Sequence, residues 1–151
     1  MSYRLNNHLY EPIHLEVGAV GAGNIHTSPA GDNSRRLITN FSCTLTTAAV
    51  AATRLLVLEV IRSGSAIITG EAIATQTQII SLIFRYNWGI GLYPINNLAT
   101  AGADRWLQQP LNPELWLEPA DQYQLNVYNI QAGDAITNLA FDYLREINPT
   151  T

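Results

Sequence analysis

The segment between residues 117 and 146 alternates apolar and polar residues with a period of two, and two short acidic turns interrupt it. Successive side chains of a β-strand point to opposite faces, so this alternation predicts strands with one buried and one exposed face. A meander of this kind indicates an all-β fold. The side chains that we expect to face inward are Tyr123, Leu125 and Val127 on one strand and Leu139, Phe141 and Tyr143 on the next.

The two turns of this meander read EPADQ and QAGD. Asp121 and Asp134 can accept hydrogen bonds from nearby backbone N–H groups, and Gly133 can adopt the left-handed conformation that such turns need. We therefore interpret both aspartates as structural turn residues, and we expect their carboxylates to be solvated.

The same alternation continues towards the N-terminus. Residues 53–62, with the sequence TRLLVLEVIR, are apolar on both faces and rich in branched side chains, which predicts a strand that is buried on both sides or covered by another subunit. Turn residues separate the segments at regular intervals, and this spacing predicts an antiparallel β-sandwich, jelly-roll-like, of about eight strands. The predicted strands lie at 12–20, 35–47, 53–62, 66–77, 78–88, 114–118, 122–130 and 135–146.

At 151 residues the chain is long enough to form one domain with its own core. Residues 1–34 are predicted to form an extended N-terminal arm plus the first strand, and residues 35–151 the β-sandwich. The arm proper covers residues 1–11, and the Gly- and Asn-rich stretch 21–34 is predicted to be a loop. Residues 89–113 form a connection of about 25 residues, a length that is usually functional.

Charge is scarce in this chain. Charged residues make up 13% of the sequence, lysine is absent, and the formal net charge is -4, whereas a typical globular protein has about 25% charged residues. A weakly charged surface gives a free monomer little protection against association, which suggests a component of an assembly. The acidic balance argues against a nucleic-acid partner. We find no secretory signal and no apolar stretch of membrane-spanning length.

Residues with catalytic or metal-binding chemistry are not grouped in the sequence. His8, His14 and His26 do not have the spacing of a metal site, and His14 is expected on the exposed face of its strand. Cys43 lies within a predicted strand, where it is expected to be a small buried apolar residue. The sequence therefore predicts a protein without catalytic activity, cofactor or metal.

Aromatic residues concentrate in or beside the 89–113 connection. They could close one end of the sandwich, stack on sugar rings, or anchor a protein interface, in which Trp, Tyr and Arg dominate the binding energy. Between the sugar site and the protein interface we favour the interface, because Arg105 and Trp106 are adjacent in the connection. The Arg35–Arg36 pair could bind carboxylates of a neighbour or be a solvated strand entry. The candidate interface residues are Arg35, Arg36, Trp88, Tyr93, Arg105, Trp106 and Trp116.

Three segments give the chain a family resemblance. TRLLVLEV at 53–60, PADQYQL at 119–125 and NIQAGDAI at 129–136 resemble the small β-sandwich structural proteins of tailed bacteriophage virions. The resemblance extends over about residues 35–146, and the chain departs from it by having Pro119 and Ala120 where glycines are more usual.

The resemblance implies a virion component without catalysis, on the capsid surface of a phage particle. The first role it suggests is a decoration or cement protein that stabilises the head by contacting the major capsid protein or other virion proteins, as a homo-oligomer such as a trimer or dimer. The N-terminal part of the chain, about residues 1–34, and the 89–113 connection would contact these neighbours. The alternative is a tail or spike component that acts as a carbohydrate- or receptor-binding module.

Overall fold

The structure is a computed structural model, and it describes residues 3–5, 8–18, 25–27, 33–50, 52–62, 65–72, 76–78, 83–96 and 104–147. These residues form an all-β fold. Within them, no helix is long and apolar enough to cross a membrane. In chain order the strands are β1 (Tyr3–Leu5), β2 (His8–Gly18), β3 (Ile25–Thr27), β4 (Arg36–Thr46), β5 (Ala52–Arg62), β6 (Ser65–Ala72), β7 (Gln76–Gln78), β8 (Ile83–Gly89), β9 (Ile95–Asn96), β10 (Asp104–Pro110), β11 (Trp116–Leu117), β12 (Gln122–Tyr128) and β13 (Ala135–Ile147).

The strands form two sheets. The large sheet has eight strands in the order β1-β2-β13-β4-β8-β10-β9, with β11 paired to the start of β4. The small sheet has five strands in the order β3-β12-β5-β6, with β7 also paired to β5. The pairings in the described residues are antiparallel except for β8 and β10, which run parallel. The all-β prediction is thus confirmed, two sheets are compatible with a sandwich, and the jelly-roll arrangement stays a prediction.

One apolar core draws side chains from both sheets. Phe41 and Leu45 on β4 and Trp88 on β8 have no exposed surface, and they belong to the same cluster as Leu58 and Leu125 of the small sheet. The intervening residues on these strands point away from the core, as the period of two requires. The inward faces predicted for β12 and β13 are confirmed, and Tyr143 is partly buried against the core.

The strand predicted to be covered on both sides is β5. Leu56, Leu58 and Val60 face the core, and Val57 and Glu59 on the opposite face are also buried. The Glu59 carboxylate accepts hydrogen bonds from the Gln124 side chain at 2.8 Å and the Tyr128 hydroxyl at 3.2 Å. Its burial is therefore compensated by neutral donors on the neighbouring strand.

The eight predicted segments correspond to β2, β4, β5, β6, β8, β11, β12 and β13, and β7 lies where the predicted segments 66–77 and 78–88 meet. The structure adds four strands that the pattern did not indicate: β1, β3, β9 and β10. Residues 8–11, assigned to the extended arm, lie in β2, which pairs with β13. Residues 25–27, assigned to a loop, form β3 and pair with β12. Residues 3–5 of the predicted arm form β1. Residues 1–2 and 6–7 of the arm, 21–24 and 28–32 of the loop, and 19–20 at the end of the first predicted strand lie outside the described residues.

The 89–113 connection is the segment in which the structure differs most from the prediction. Residues 104–110 form β10, which pairs with all seven residues of β8, and residues 95–96 form β9 on the other side of β10. The sequence DRWLQQP lacks the β-branched residues that mark a strand, so its own propensity did not reveal it. Pairing with the buried β8 and the burial of Leu107 in the core determine its conformation. Residues 97–103 lie outside the described part.

A buried ion pair closes one end of the fold. Arg54 at the start of β5 donates two hydrogen bonds to the Asp134 carboxylate, at 2.7 and 2.8 Å, and both side chains have no exposed surface. Burial alone would raise the pKa of Asp134, but hydrogen bonds from Arg54 and from the backbone N–H groups of Ala48 and Gln131 lower this pKa below its ordinary value. Asp134 therefore stays ionised, and it joins the β4–β5 connection to the β12–β13 turn.

The opposite end contains a second aspartate with arginine partners. Asp121 accepts hydrogen bonds from the backbone N–H of Glu118 and from Arg62 Nε, both at 3.0 Å, and its backbone carbonyl accepts one from Arg36 at 2.7 Å. The predicted turn roles of Asp121 and Asp134 are confirmed, as is the positive φ of Gly133. The expectation that the two carboxylates are solvated is wrong, since both are buried.

We predict that Arg54→Met lowers the free energy of unfolding by about 3–5 kcal/mol, because it leaves the buried Asp134 carboxylate without its cation. The matched control is Arg35→Met, which removes an exposed ion pair with Glu118 and should cost no more than about 1 kcal/mol. Denaturant unfolding monitored by circular dichroism measures both. Equal losses in the two variants would contradict the structural role of the buried pair.

Candidate functional site

The outer face of the large sheet carries a shallow polar groove. Two adjoining depressions of ≈ 320 and ≈ 430 Å³ both contain Ser42 and Asn138, so they form one continuous feature, which we call the sheet groove. The first depression is lined by residues of β2, β13 and β4, and the second extends from β13 across β4 and β8 to β10. The side chains that project into the groove are His14, Glu16, Asn40, Ser42, Thr44, Arg85, Asn87, Trp106 and Asn138.

The strand register determines this lining. On β4 and β8 the residues between the core side chains point outward, and Ser42 pairs with Asn87. In the next row Thr44 pairs with Arg85, and Arg85 pairs with Trp106 on β10. Neighbouring strands lie ~4.8 Å apart, so this row extends roughly 10 Å across the sheet. The middle of the groove therefore has hydroxyl and amide groups, and an aromatic ring stands at one side.

A bulge in β13 shapes the centre of the groove. Thr137 pairs with Thr44 and Ala140 with Ser42, so two residues of β13 lie opposite one residue of β4. Asn138, in the bulge, has a φ of 51°, and its side-chain Nδ2 lies 3.4 Å from Thr44 Oγ1. The bulge breaks the regular row of side chains and leaves space beside Ser42, where the two depressions meet.

Trp106 is an exposed aromatic residue beside the groove. Its residue surface is 57% exposed, and the Arg85 guanidinium lies over the indole ring, 5.6 Å from the ring centroid. Such a cation–π contact favours one orientation of the ring. The ring therefore presents a large apolar surface to solvent while its position is supported from the neighbouring strand.

Asn87 supplies an unpaired acceptor. Its side-chain Oδ1 is shielded from solvent and accepts no hydrogen bond within the described part of the chain. A shielded polar atom without a partner is costly, and native proteins contain few of them. Water-sized groups do not reach this oxygen in the folded chain, so an external donor bonds to it only after the Asn87 side chain turns towards the groove.

The acidic end of the groove contains a histidine between two carboxylates. His14 on β2 hydrogen-bonds through Nδ1 to Asp142 Oδ1 on β13, and its Nε2 lies 3.3 Å from Glu16 Oε1. The hydrogen bond to Asp142 and then that to Glu16 raise the pKa of His14 above its ordinary value of 6.5. The predicted exposure of His14 is confirmed, since its side chain is 57% exposed.

A second surface feature adjoins Trp106 at the edge of the large sheet. Tyr93, Ile95 and Trp106 are 82%, 49% and 57% exposed, and we call these three residues the edge patch. Gln108 organises it, because its backbone pairs with Ile95 and its side-chain amide donates to the Tyr93 carbonyl at 2.9 Å. The edge patch thus gathers an exposed tyrosine, isoleucine and tryptophan on β9, β10 and the segment before them.

Of the aromatic residues predicted to form an interface, Trp88 does not lie on the surface. It has no exposed surface and packs in the core against Phe41, with ring centroids 4.9 Å apart. The interface assignment of Trp88 is therefore wrong. Its strand supplies the reason, because Trp88 continues the inward-facing alternation of Phe84 and Tyr86.

The Arg35–Arg36 pair makes contacts within its own chain. Arg35 is exposed, forms an ion pair with Glu118 at 3.1 Å, and lies over the Trp116 ring at 5.5 Å. Arg36 is buried and donates to the Asp121 carbonyl. A role of Arg36 in binding a neighbour's carboxylates is therefore wrong, since its guanidinium stabilises the end of the sandwich. Arg35 and Trp116 belong to a cluster away from Trp106.

Arg105 can be placed only through its backbone, which pairs with Phe84 in β10; its side chain lies outside the described residues. Of the seven predicted residues, the structure brings Tyr93 and Trp106 together at the edge of the sheet. Sequence reasoning missed the groove residues Asn87, Ser42 and Asn138. The alternation along β4 and β8 indicates that Ser42 and Asn87 point outward. The sequence contains no pattern that predicts the bulge at Asn138.

Cys43, the one cysteine of the chain, lies in the core. Burial raises the pKa of the Cys43 thiol, so the thiol stays protonated within the core. Among the described residues, no group of three or more His, Cys, Asp or Glu side chains could hold a metal ion. Comparison of the chain with protein-family models, curated proteins and solved structures finds no match.

We predict that Asp142→Asn lowers the pKa of His14 towards its ordinary value, because the partner that contributes most to the raised pKa loses its negative charge. Titration of the imidazole signals by NMR measures this pKa, and His14→Gln identifies the signal. The wild-type signal should titrate above 6.5. An unchanged pKa in Asp142→Asn would contradict the cross-strand pair.

Proposed function

We propose that this protein is a non-enzymatic structural component of a virion that acts by contacting other protein subunits, with capsid decoration or cementing of a tailed-phage head as its role. Its partners are the major capsid protein or other virion proteins and further copies of the chain, as a dimer or trimer. The observation that carries the proposal is the edge patch, whose residues Tyr93, Ile95 and Trp106 remain exposed in the folded chain.

The composition of the edge patch supports a protein partner. Tyrosine and tryptophan are enriched at the energetic centres of interfaces, because they bury a large area with few rotatable bonds. Isolated exposed apolar residues are ordinary, whereas adjoining ones mark interaction sites. Ile95 and Trp106 belong to adjacent strands, and Gln108 links Ile95 to Tyr93. The residues of the edge patch therefore form one surface and are not isolated exposed apolar side chains.

The low charge of the chain supports the same proposal. With eight basic and twelve acidic residues in 151, electrostatic repulsion between copies is weak. Several of these charges are also paired inside the chain, as with Arg54 and Asp134 or Arg62 and Asp121. Fewer charges therefore remain to keep neighbouring subunits apart. The resemblance of residues 35–146 to phage structural proteins supplies the virion setting.

We predict that the double variant Tyr93→Ser, Ile95→Ser weakens association at least about tenfold, because interface centres of this kind contribute about 2 kcal/mol or more per aromatic anchor. Association is measured by analytical ultracentrifugation of the purified protein and by co-sedimentation with particles from cells that produce it. The matched control is Val50→Ser, which removes an apolar residue that is 51% exposed in the β4–β5 connection.

The control should associate like the wild type, and both variants should keep the wild-type circular dichroism spectrum. A wild-type chain that stays monomeric at micromolar concentration and never accompanies particles would contradict the proposal. Association that survives in the double variant would exclude the edge patch as its origin.

A further inference from the structure

We propose that the sheet groove is a binding site for an oligosaccharide. The saccharide would lie across β4, β8 and β10 with one sugar ring against the Trp106 indole and its hydroxyl groups bonded to Asn87, Ser42 and Asn138. This inference shares Trp106 with the edge patch, but it otherwise rests on the groove lining and not on Tyr93 or Ile95.

The groove lining has the hydrogen-bonding chemistry that sugar hydroxyls require. An amide side chain offers two donors and an acceptor, and a hydroxyl can act as either, so Asn and Ser can bind the donor and acceptor sides of neighbouring sugar hydroxyls. Asn40, Ser42, Thr44, Asn87 and Asn138 provide these groups from three adjacent strands. Because they project from sheet strands, their spacing is fixed before any ligand binds.

The unpaired Asn87 Oδ1 points to a ligand that donates a hydrogen bond. This oxygen is shielded from solvent and has no donor within the described residues, although Asn87 itself lines the groove. A sugar hydroxyl placed over β8 can donate to it once the Asn87 side chain turns towards the groove, and the neighbouring Ser42 is in register to contact the same sugar. Binding would then satisfy an atom that the folded chain leaves unsatisfied.

Trp106 provides the apolar contact that completes a saccharide site. The faces of a sugar ring present C–H bonds with partial positive charge, and the face of an indole ring carries negative charge density. Trp106 is 57% exposed, and Arg85 supports its ring from the adjacent strand. An aromatic ring beside a row of amides and hydroxyls therefore matches both parts of a sugar, its apolar face and its polar rim.

The charge distribution distinguishes a saccharide from other occupants. A nucleic acid requires several cations to neutralise its phosphates, and Arg85 is the one cationic side chain among the described residues that line the Trp106 half of the groove. The other half contains Glu16 and His14. A protein interface has an apolar centre, whereas the centre here is Ser42, Asn87 and Asn138. A neutral oligosaccharide matches this distribution best.

The variant Asn87→Leu is designed to weaken ligand binding without changing the fold. Leucine is similar in size to asparagine, so the change removes the unpaired acceptor and leaves the strand and its core-facing neighbours intact. We expect the variant to be at least as stable as the wild type but to lose saccharide affinity by about tenfold or more. Trp106→Ala should lose affinity by a similar or larger factor, because the stacking surface is removed.

The experiment is a screen of the full chain on an array of defined neutral and acidic oligosaccharides, followed by calorimetric titration of the best-binding oligosaccharide. The same oligosaccharide is titrated into Asn87→Leu, Trp106→Ala and the distant control Val50→Ser. Melting temperatures of all proteins are measured in parallel. Binding by the wild type and the control, with a loss in the two groove variants, is the expected result.

Three outcomes would overturn the inference. The array could show no bound oligosaccharide, the affinity could be unchanged in Asn87→Leu, or it could fall equally in Tyr93→Ser, Ile95→Ser, which leaves the groove intact. Loss of particle association in Asn87→Leu with no saccharide binding would identify a protein as the occupant of the groove. The double variant Tyr93→Ser, Ile95→Ser tests association, whereas Asn87→Leu tests saccharide binding. Failure of one proposal can therefore be distinguished from failure of the other.

Discussion

The buried pair of Arg54 and Asp134 is the interaction on which the two-sheet arrangement most depends. The chain crosses between the sheets several times; two of these crossings are from the large sheet to the small one between β4 and β5, and from the small sheet back to the large one between β12 and β13. Asp134 accepts hydrogen bonds from Ala48 in the first crossing, from Gln131 in the second, and from Arg54 at the start of β5. An ionised carboxylate without exposed surface is tolerated only when its hydrogen bonds are satisfied in this way. One side chain thus fixes both crossings, and with them the position of β4 beside β13.

The position of β4 and β13 in turn determines what the outer face of the large sheet offers. Because Phe41 and Phe141 must face the core, Ser42 and Ala140 must face outward. The bulge at Asn138 opens the sheet groove between them, and Trp106 stands where the groove meets the edge patch. The same tryptophan therefore belongs to both proposed surfaces, so a subunit covering the edge patch would also narrow the groove.

The sequence predicted the strands whose conformation follows from their own alternation of side chains. It did not predict the strands whose conformation depends on pairing with a distant part of the chain. The alternation of β12 and β13 and the double burial of β5 follow from side-chain periodicity, and they were predicted correctly. β10 was not predicted because its strand conformation depends on pairing with β8, and β3 was not predicted because it depends on pairing with β12. The sequence indicates that the Asn87 side chain points outward. It does not indicate that Asn87 lies beside Trp106, because that proximity depends on the parallel pairing of β8 with β10. The arginine partners of Asp121 and Asp134 lie 59 and 80 residues away in sequence, beyond the reach of local reasoning.

The central place of β13 has a consequence for how the chain reaches its fold. This strand joins β2 on one side to β4 on the other, and its contacts connect residues as distant as Arg145 and Glu11, 134 positions apart. Until β13 inserts, β1–β2 and the β4-to-β9 part of the large sheet are separate ribbons with open hydrogen-bonding edges. Closure of such large loops slows folding, and open edges favour intermolecular strand pairing. The rate at which β13 docks therefore governs the competition between a correct fold and aggregation during synthesis.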